Sequence, residues 1–246
     1  MSGVPRKGTV MYRLAKIIPR GLRRRLEVFL IDRGFPTKKQ RGMRGIEQLG
    51  HRGYVGRREW YEADGLRQFE FMLEHGLQPG DVLCDIGCGS LRGGRLFIEY
   101  LDRGNYLGLD SEEELVELGL RHELDPRVRE DKAPEFVISY GFEFRRFSKP
   151  PTRALAVSLF SHLNERDIRL CLRNLAHHAT GPCQLFASYF ESERPTPNFQ
   201  KSHPQLAFYY TREQMQRMGH DAGWTPAFLG EWGSPAGQLM IRFTKE

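Results

Sequence analysis

The residues best suited to chemistry form a glycine-rich run, Asp85-Ile86-Gly87-Cys88-Gly89-Ser90-Leu91-Arg92-Gly93-Gly94. The run follows a short apolar segment and precedes a helical pattern. Glycines at such a strand-to-helix turn let the backbone approach a ligand that a Cβ atom would block. Asp110 ends the next apolar segment, 21 residues after Gly89, where a carboxylate can accept hydrogen bonds from two adjacent ribose hydroxyls. This layout is typical of a nucleoside-binding site.

Two classes of nucleoside ligand compete for this loop. A dinucleotide site favours the pattern G-x-G-x-x-G, with the start of the helix facing a pyrophosphate. Here the sixth position is Arg92 instead of glycine. Asp85 would also place a negative charge beside the pyrophosphate, which is unfavourable. A sulfonium cofactor has no phosphate and carries a cationic amino-acid part, so an acid at Asp85 favours that second class.

Apolar segments and helical patterns alternate through the rest of the chain. The predicted strands are 82–86, 106–110, 136–139, 154–158, 184–190, 225–229 and 238–243, and the predicted helices are 57–76, 91–101, 112–123, 164–178 and 211–222. Nearly all-apolar strands that alternate with helices indicate a parallel sheet covered on both faces. The last two strands are close in sequence and can pair antiparallel. We therefore predict an α/β, Rossmann-like doubly wound sheet, mostly parallel with an antiparallel end strand.

A basic helical arm precedes this predicted domain. The 246 residues carry a formal net charge of +6, but residues 1–45 hold thirteen Lys and Arg against two acids, a net of +11, so the remainder carries −5. Apolar residues recur mostly every four positions between these cations, at Met11, Leu14, Ile18, Leu22, Leu26 and Leu30. The pattern predicts a basic amphipathic helix that Pro19 breaks or kinks. Residues 33–56 read as a linker.

This arm could have several partners. A basic amphipathic helix can lie on an anionic membrane surface, and its cations could equally contact nucleic acid phosphates. It could also simply pack on the body. We divide the chain into an arm, 1–45, and a domain, 46–246.

Composition excludes other classes of protein. Hydrophobic residues make up 39% of the chain, which excludes a wholly disordered protein, and no apolar run is long enough to span a membrane. The four cysteines form no C-x-x-C pair and the eight histidines no H-E-x-x-H, so no metal site is predicted. Without a signal peptide, the expected location is the cytoplasm, peripheral at the membrane if the arm binds lipid.

The domain resembles the class I S-adenosylmethionine-dependent methyltransferases over about residues 57–243. Asp85 to Gly94 is similar to their motif I, although their usual third glycine is replaced by Leu91. Within that superfamily the chain resembles a bacterial group by four motifs. These are Trp60-Tyr61 with Gln68-Phe69, the loop Gly87 to Gly94, the stretch Ser158 to Leu163, and the turn Trp232 to Gln238.

The resemblance implies a cofactor and the residues that bind it. S-adenosylmethionine would contact Asp85, Gly87 and Gly89 with its methionine part. Its ribose would bind Asp110, and its adenine would lie near Glu143. The residues after the fourth strand that would also contact the cofactor are Ser158, Leu159 and Phe160.

Methyl transfer to a hydroxyl acceptor also needs a general base. His162 is the first candidate, because it follows the fourth strand at the carboxyl edge of the sheet, where ligands bind. Glu191, at the end of the fifth strand, is the second. The segment 191–210 is polar and long for a connection, so it could cap the acceptor pocket.

The acceptor class follows from motifs that the sequence lacks. No Asn/Asp-Pro-Pro-Tyr follows the fourth strand, and Cys183 after Pro182 begins the fifth strand instead of serving as a nucleophile. These absences favour a small-molecule, glycan or lipid acceptor. The alternatives are an RNA-directed methyltransferase that uses the basic arm, a dinucleotide-dependent oxidoreductase, and a non-enzymatic domain that keeps the fold.

Overall fold

A computed structural model describes residues 20–34 and 45–246 of the chain. The described α-helices are α1 (Arg20–Asp32), α2 (Ile46–Tyr54), α3 (Tyr61–Glu74), α4 (Gly94–Tyr100), α5 (Glu113–His122), α6 (Pro126–Lys132), α7 (Glu165–His178) and α8 (Arg212–Asp221). The strands are β1 (Leu83–Ile86), β2 (Tyr106–Asp110), β3 (Glu135–Ile138), β4 (Arg153–Ala156), β5 (Cys183–Glu191), β6 (Tyr209–Tyr210), β7 (Thr225–Glu231) and β8 (Leu239–Lys245).

The strands form one twisted sheet in the order β3-β2-β1-β4-β5-β8-β7, with β6 paired to β5. Strands β1 to β5 run parallel, whereas β8 is antiparallel to both β5 and β7. The central strands are buried along their length, as expected for a sheet with helices on both faces. The predicted doubly wound fold is confirmed, including its antiparallel end.

The strand order reverses between β1 and β4. From β1 the chain moves outward to β2 and β3, and then it returns to β4 on the other side of β1. In open α/β sheets this switch point leaves a crevice at the carboxyl ends of the strands, where ligands bind. Both the glycine-rich loop after β1 and the segment after β4 therefore lie at this crevice.

Three elements differ from the sequence-based expectation. Residues 46–54, which we expected to belong to a linker, form α2, although Gly50 interrupts its helical dihedrals with φ of 69°. Helix α6 was not predicted, although Asp125 accepts from the backbone N–H of Arg127 and Pro126 begins the helix, a common start signal. Strand β6 has two residues and is too short for an alternation signal.

The described part of the basic arm packs on the body. Val28 in α1 is buried in the larger of two apolar clusters, and Arg24 donates to the carbonyl oxygens of Pro197 and Ala207 at 3.1 and 2.7 Å. The predicted apolar positions Met11, Leu14 and Ile18 lie outside the described residues. Within residues 20–34 and 45–246, no helix is long and apolar enough to cross a bilayer.

Candidate functional site

The glycine-rich loop turns sharply between β1 and α4. Gly87 and Gly89 have φ of 77° and 54°, a region that side chains with a Cβ atom rarely adopt. A Cβ atom on Gly87 would lie 3.3 Å from Leu159, and one on Gly89 would lie 3.0 Å from Val55. Both glycines line a cavity of about 440 Å³. The loop therefore needs glycine for its conformation and for the space beside it.

Leu91 occupies the position at which the usual motif has its third glycine. Its φ is 64°, so the backbone keeps a left-handed conformation without glycine, at a cost of roughly 1–2 kcal/mol. The Leu91 side chain is fully buried in the smaller apolar cluster, and this burial compensates for the strain. Leucine at this position therefore serves both the left-handed turn and the apolar core.

Asp110 ties the loop to the end of β2. Its Oδ2 accepts from the backbone N–H of Gly89 at 2.8 Å, and its Oδ1 accepts from the backbone N–H of Glu112 at 2.9 Å. Burial raises the pKa of Asp110, although these N–H donors act in the opposite direction. The carboxylate also lines the cavity, and each oxygen has a further lone pair for a ligand hydroxyl.

Asp85 lies beneath the loop instead of in the cavity lining. Its side chain is buried, and Tyr106 donates its hydroxyl to Oδ2 at 2.8 Å. Burial raises the pKa of Asp85 to about 6, while the Tyr106 hydrogen bond acts against the rise. Asp85 was predicted to contact the methionine part of a cofactor, but it does not line this cavity or the second one that adjoins it.

We call the 440 Å³ cavity the loop cavity. Its walls come from the carboxyl ends of four strands, the segment before α3, the stretch 202–204 and single residues of neighbouring helices. It is lined by Tyr54, Val55, Gly56, Gly87, Gly89, Arg92, Leu109, Asp110, Ser111, Glu112, Leu115, Ser139, Tyr140, Phe142, Val157, Ser158, Leu159, His162, Leu163, Asp167, Ser202, His203 and Pro204. Its volume lies within the range of about 300–1,000 Å³ typical of small-molecule and cofactor sites.

The segment after β3 differs from the prediction. Ser139, Tyr140 and Phe142 line the loop cavity, whereas Glu143 does not. Phe142 has φ of 53°, and this left-handed turn separates the two neighbouring side chains. Glu143 instead pairs with Arg146 at 3.5 Å on the surface. A nucleoside base in the cavity would therefore contact Tyr140 and Phe142 before Glu143.

The segment after β4 contributes Ser158 and Leu159 to the loop cavity, as predicted. Ser158 has φ of 58°, and its backbone N–H donates to Ser188 Oγ at 2.7 Å. Phe160 is fully buried in the larger apolar cluster and does not line the cavity. The structure therefore does not bring Phe160 to the cavity that Ser158 and Leu159 line.

The turn between β7 and β8 fixes this strained segment from the far end of the sequence. Gln238 is buried, and its Oε1 accepts from the hydroxyls of Ser158 and Ser188 at 3.1 and 2.7 Å. Its Nε2 donates to Ser161 Oγ at 3.1 Å. The turn Trp232 to Gln238 thus positions the segment at the carboxyl end of β4.

Helix α2, which the sequence analysis did not predict, covers the glycine-rich loop. His51 and Arg52 both contact the Glu123 carboxylate, with three N–O distances of 2.6 to 2.7 Å. Burial raises the pKa of Glu123, but these hydrogen bonds outweigh it, so the pKa is lowered overall. Ser90 in the loop donates to the carbonyl oxygen of His51 at 3.1 Å. These contacts hold Val55 over Gly89.

A second cavity of about 420 Å³ adjoins the first, and we call it the aromatic cavity. It is lined by Val55, Gly56, Arg57, Trp60, Asp64, Gln68, Arg92, Val157, Ser158, His162, Phe190, Trp232, Ser234, Pro235, Ala236 and Gln238. Six of these residues, among them Arg92, Ser158 and His162, also line the loop cavity. The two spaces therefore share a wall.

Arg92 forms the polar part of that wall. Its guanidinium donates to the carbonyl oxygen of Val55 at 3.0 Å and lies 3.5 Å from the Asp64 carboxylate. With its amide oxygen turned inward, Gln68 accepts from Nε and Nη2 at 3.1 and 3.2 Å. Burial lowers the pKa of Arg92, but a guanidinium stays protonated at neutral pH. The wall therefore presents a fixed cation.

His162 lies at the boundary between the cavities, where the sequence placed a candidate base. Its Nδ1 is 2.9 Å from the carbonyl oxygen of Leu206. A carbonyl oxygen only accepts, so Nδ1 carries the proton in this contact and Nε2 holds the lone pair of the neutral ring. Leu206 belongs to the segment 191–210, and Ser202, His203 and Pro204 of the same segment line the loop cavity.

Glu191, the second candidate base, does not line either cavity. Its Oε2 accepts from Tyr189 at 2.6 Å and from Arg212 Nε at 2.8 Å. Burial raises the pKa of Glu191, but these two donors outweigh it and lower the pKa overall. Tyr210, also in the cap segment, donates to the carbonyl oxygen of Leu163.

Metal ligation finds no support in residues 20–34 and 45–246, where no group of three His, Cys, Asp or Glu side chains is arranged to hold an ion. The four cysteines are buried free thiols. The chemical groups that line the cavities are thus carboxylates such as Asp110, the Arg92 guanidinium, the His162 imidazole and hydroxyls such as that of Ser158.

Comparison with known proteins places this geometry in context. No family model matches the chain, and no curated protein matches it. Many solved structures do. The S-adenosylmethionine-bound amino pentose methyltransferase of Micromonospora echinaspora, involved in calicheamicin biosynthesis, has a TM-score of 0.59 and 13% identity, with 83% of this chain and 98% of that chain covered.

Two further methyltransferase structures are similar to the chain in fold. The magnesium protoporphyrin IX methyltransferase of Synechocystis, with S-adenosylmethionine bound, has a TM-score of 0.55 and 13% identity, covering 89% of this chain and 97% of that one. A SAM-dependent methyltransferase from Methanosarcina mazei has a TM-score of 0.53 and 13% identity, covering 71% and 96%. The chain therefore has the Rossmann-like fold of these S-adenosylmethionine-dependent methyltransferases.

Proposed function

We propose that the protein is an S-adenosylmethionine-dependent methyltransferase. The observation that carries the proposal is the loop cavity at the switch point, where Gly87 and Gly89 make room for a ligand and Asp110 presents a carboxylate beside them. The cofactor supplies an electrophilic methyl group on a sulfonium centre. The similarity to solved methyltransferases supports this ligand over a dinucleotide.

The residues present suit the parts of that cofactor. Asp110 would accept from the ribose hydroxyls while it holds the Gly89 backbone. Tyr140 and Phe142 offer apolar surface for the adenine, and Ser158 and Leu159 lie opposite the loop. Asp85 is buried beneath the loop and does not line the cavity. In this proposal its carboxylate stabilises the cationic methionine part by electrostatic attraction over a distance and not by direct contact.

We assign the aromatic cavity to the acceptor. It adjoins the loop cavity along the wall that contains Arg92 and His162, so an acceptor there lies beside the bound cofactor. Trp60, Phe190 and Trp232 provide aromatic surface, and Asp64 and Gln68 provide hydrogen-bonding groups. This mixed lining suits a small-molecule, glycan or lipid headgroup acceptor that combines apolar faces with hydroxyls.

His162 is the general base in this proposal. Its Nε2 is the basic nitrogen, because Leu206 fixes the proton on Nδ1. It would take the proton of an acceptor hydroxyl and raise the nucleophilicity of the oxygen. Glu191 is the weaker candidate, since it lines neither cavity whereas His162 lines both. Alignment of acceptor and methyl group supplies most of the remaining acceleration.

Mass spectrometry of small molecules that co-purify with the protein tests the proposal. We expect S-adenosylmethionine or S-adenosylhomocysteine in the wild-type preparation and neither in Asp110→Ala. A co-purified nicotinamide or flavin dinucleotide would instead support the oxidoreductase alternative and overturn this proposal.

A further inference from the structure

Helix α1 presents one face to the body and the opposite face to solvent. The inner face carries Arg24, Val28 and Ile31, and Val28 and Ile31 pack against the larger apolar cluster. Arg24 adds its two carbonyl contacts and lies over the Phe199 ring at 4.4 Å. Asp32 accepts from the backbone N–H of Gln200 at 3.0 Å. These contacts fix the rotation of the helix about its own axis.

The outer face is apolar and exposed. Leu22, Leu26 and Phe29 follow at the i, i+4, i+7 spacing, which places them on one stripe of a helix. Their exposed fractions are 57%, 48% and 48%. Single exposed apolar side chains are common on soluble proteins, but contiguous exposed apolar patches are typical of protein or membrane interaction sites.

Cations frame this stripe. Arg25 and Arg33 are exposed, and the Arg33 guanidinium lies 4.0 Å from the centroid of the Phe29 ring. The first 45 residues have a net charge of +11. Cations beside an exposed apolar stripe are the arrangement by which amphipathic helices bind an anionic bilayer, because the apolar side chains enter the interface while the cations meet lipid headgroups.

We propose that the outer face of α1 is a docking surface for an anionic lipid bilayer. Nucleic acid is the weaker partner for this face, because phosphate contacts need the cations but not Leu22, Leu26 and Phe29. A second copy of the chain is also weaker, because two faces of the same positive charge repel one another.

Docking through this face would place the bilayer next to the active-site cap. Helix α1 contacts the chain at Pro197, Phe199, Gln200 and Ala207. Ser202, His203 and Pro204, from the same stretch, line the loop cavity. The helix is thus one layer of chain away from the site.

Vesicle co-sedimentation of the full chain tests the proposal. We expect the wild type to sediment with vesicles of phosphatidylcholine and phosphatidylserine, but not with phosphatidylcholine alone, and to be released by salt. The L22S/L26S/F29S variant should lose about tenfold or more in apparent affinity, and R25E/R33E should lose affinity as well. The matched control is L66S/L73S, which removes two exposed leucines of α3 and should sediment like the wild type.

Several results would overturn the proposal. The first two are failure of the wild type to sediment with vesicles and sedimentation of L22S/L26S/F29S equal to that of the wild type. The third is that the wild type does not bind lipid and L22S/L26S/F29S instead loses a dimer or RNA binding. The fourth is an equal loss of vesicle binding in the L66S/L73S control. Titration of each variant with S-adenosylhomocysteine keeps the two proposals apart. None of the substituted residues lines either cavity, so the affinity for this ligand should not change.

Discussion

The two adjoining cavities are built in different ways. The loop cavity is made largely of backbone turns and strand ends, and its polar groups are held by hydrogen bonds over short distances, such as Asp110 to Gly89 and Glu112. The aromatic cavity is lined by residues from five separate regions of the sequence, with Trp60, Phe190 and Trp232 far apart in sequence. A rigid backbone site suits an invariant ligand, whereas a side-chain site can be adapted to different acceptors.

His162→Gln tests the wall between the cavities and should have the largest effect. Loss of a general base lowers turnover by about 10²–10⁴-fold, while affinity for S-adenosylhomocysteine should stay within about threefold, because binding does not use the basic nitrogen. The measurement is transfer of labelled methyl from S-adenosylmethionine to fractions of a metabolite and lipid extract. Unchanged transfer would remove His162 from the mechanism.

Gly89→Val tests the loop cavity alone. A side chain there meets Val55 and must adopt φ of 54°. Because both residues line the cavity, the shift that relieves this contact changes the space for the ligand, and we expect roughly 100-fold weaker S-adenosylhomocysteine binding, about 2.7 kcal/mol. Gly223→Ala is the control, since Gly223 has φ of 82° and a methyl group added there would have no neighbouring atom within 4 Å. It should lose stability but keep full affinity. Equal loss of affinity in both variants would mean that strain, and not the cavity, is responsible.

Trp60→Ala and Tyr140→Ala sharpen the contrast between the cavities. Trp60 lines only the aromatic cavity and Tyr140 only the loop cavity. Loss of an aromatic stacking surface costs about 1.4 kcal/mol or tenfold in binding. We expect Trp60→Ala to raise the KM for the acceptor and Tyr140→Ala to weaken cofactor binding. The opposite pattern would exchange the assignments of the two cavities.

Asp85→Asn acts on neither cavity lining and should change the pH dependence of stability. Burial raises the pKa of Asp85 to about 6, so the native state holds this proton more tightly than the unfolded chain. Its contribution to the free energy of unfolding therefore falls as pH rises from about 4 to about 6. Asparagine removes this contribution, so the variant should gain on the order of 2 kcal/mol relative to wild type between these pH values. Urea denaturation at pH 4 and pH 7 measures it, and a difference between the proteins that does not change with pH would contradict the prediction.

The sequence indicates the position of the loop cavity because its signals are local. The glycine-rich run, the strand before it and Asp110 lie within one strand-helix-strand unit, so periodicity and spacing identify them together. Their relation to Ser158 follows from the sheet, since β1 pairs with β4. The geometry of such a strand-helix-strand unit follows from its local sequence.

The misses come from information that spacing does not contain. The resemblance implies cofactor contacts for Glu143 and Phe160, but neither lines the cavity. Positive φ at Phe142 and Ser158 changes which neighbouring side chains enter it. Helix α2 contains a kink at Gly50, so its glycines resemble a linker. The aromatic cavity joins residues that only the tertiary fold brings together.

Calorimetric titration of the full chain with S-adenosylhomocysteine tests the central claim most directly. The account predicts saturable binding of one molecule per chain, weakened about 10- to 100-fold in Asp110→Ala because charge-assisted hydrogen bonds to the ribose are lost. Asp125→Ala is the matched control, since it removes only the cap of α6, which costs about 1 kcal/mol of stability, and should bind normally. Absence of binding at millimolar ligand, or equal binding by Asp110→Ala and wild type, would contradict it.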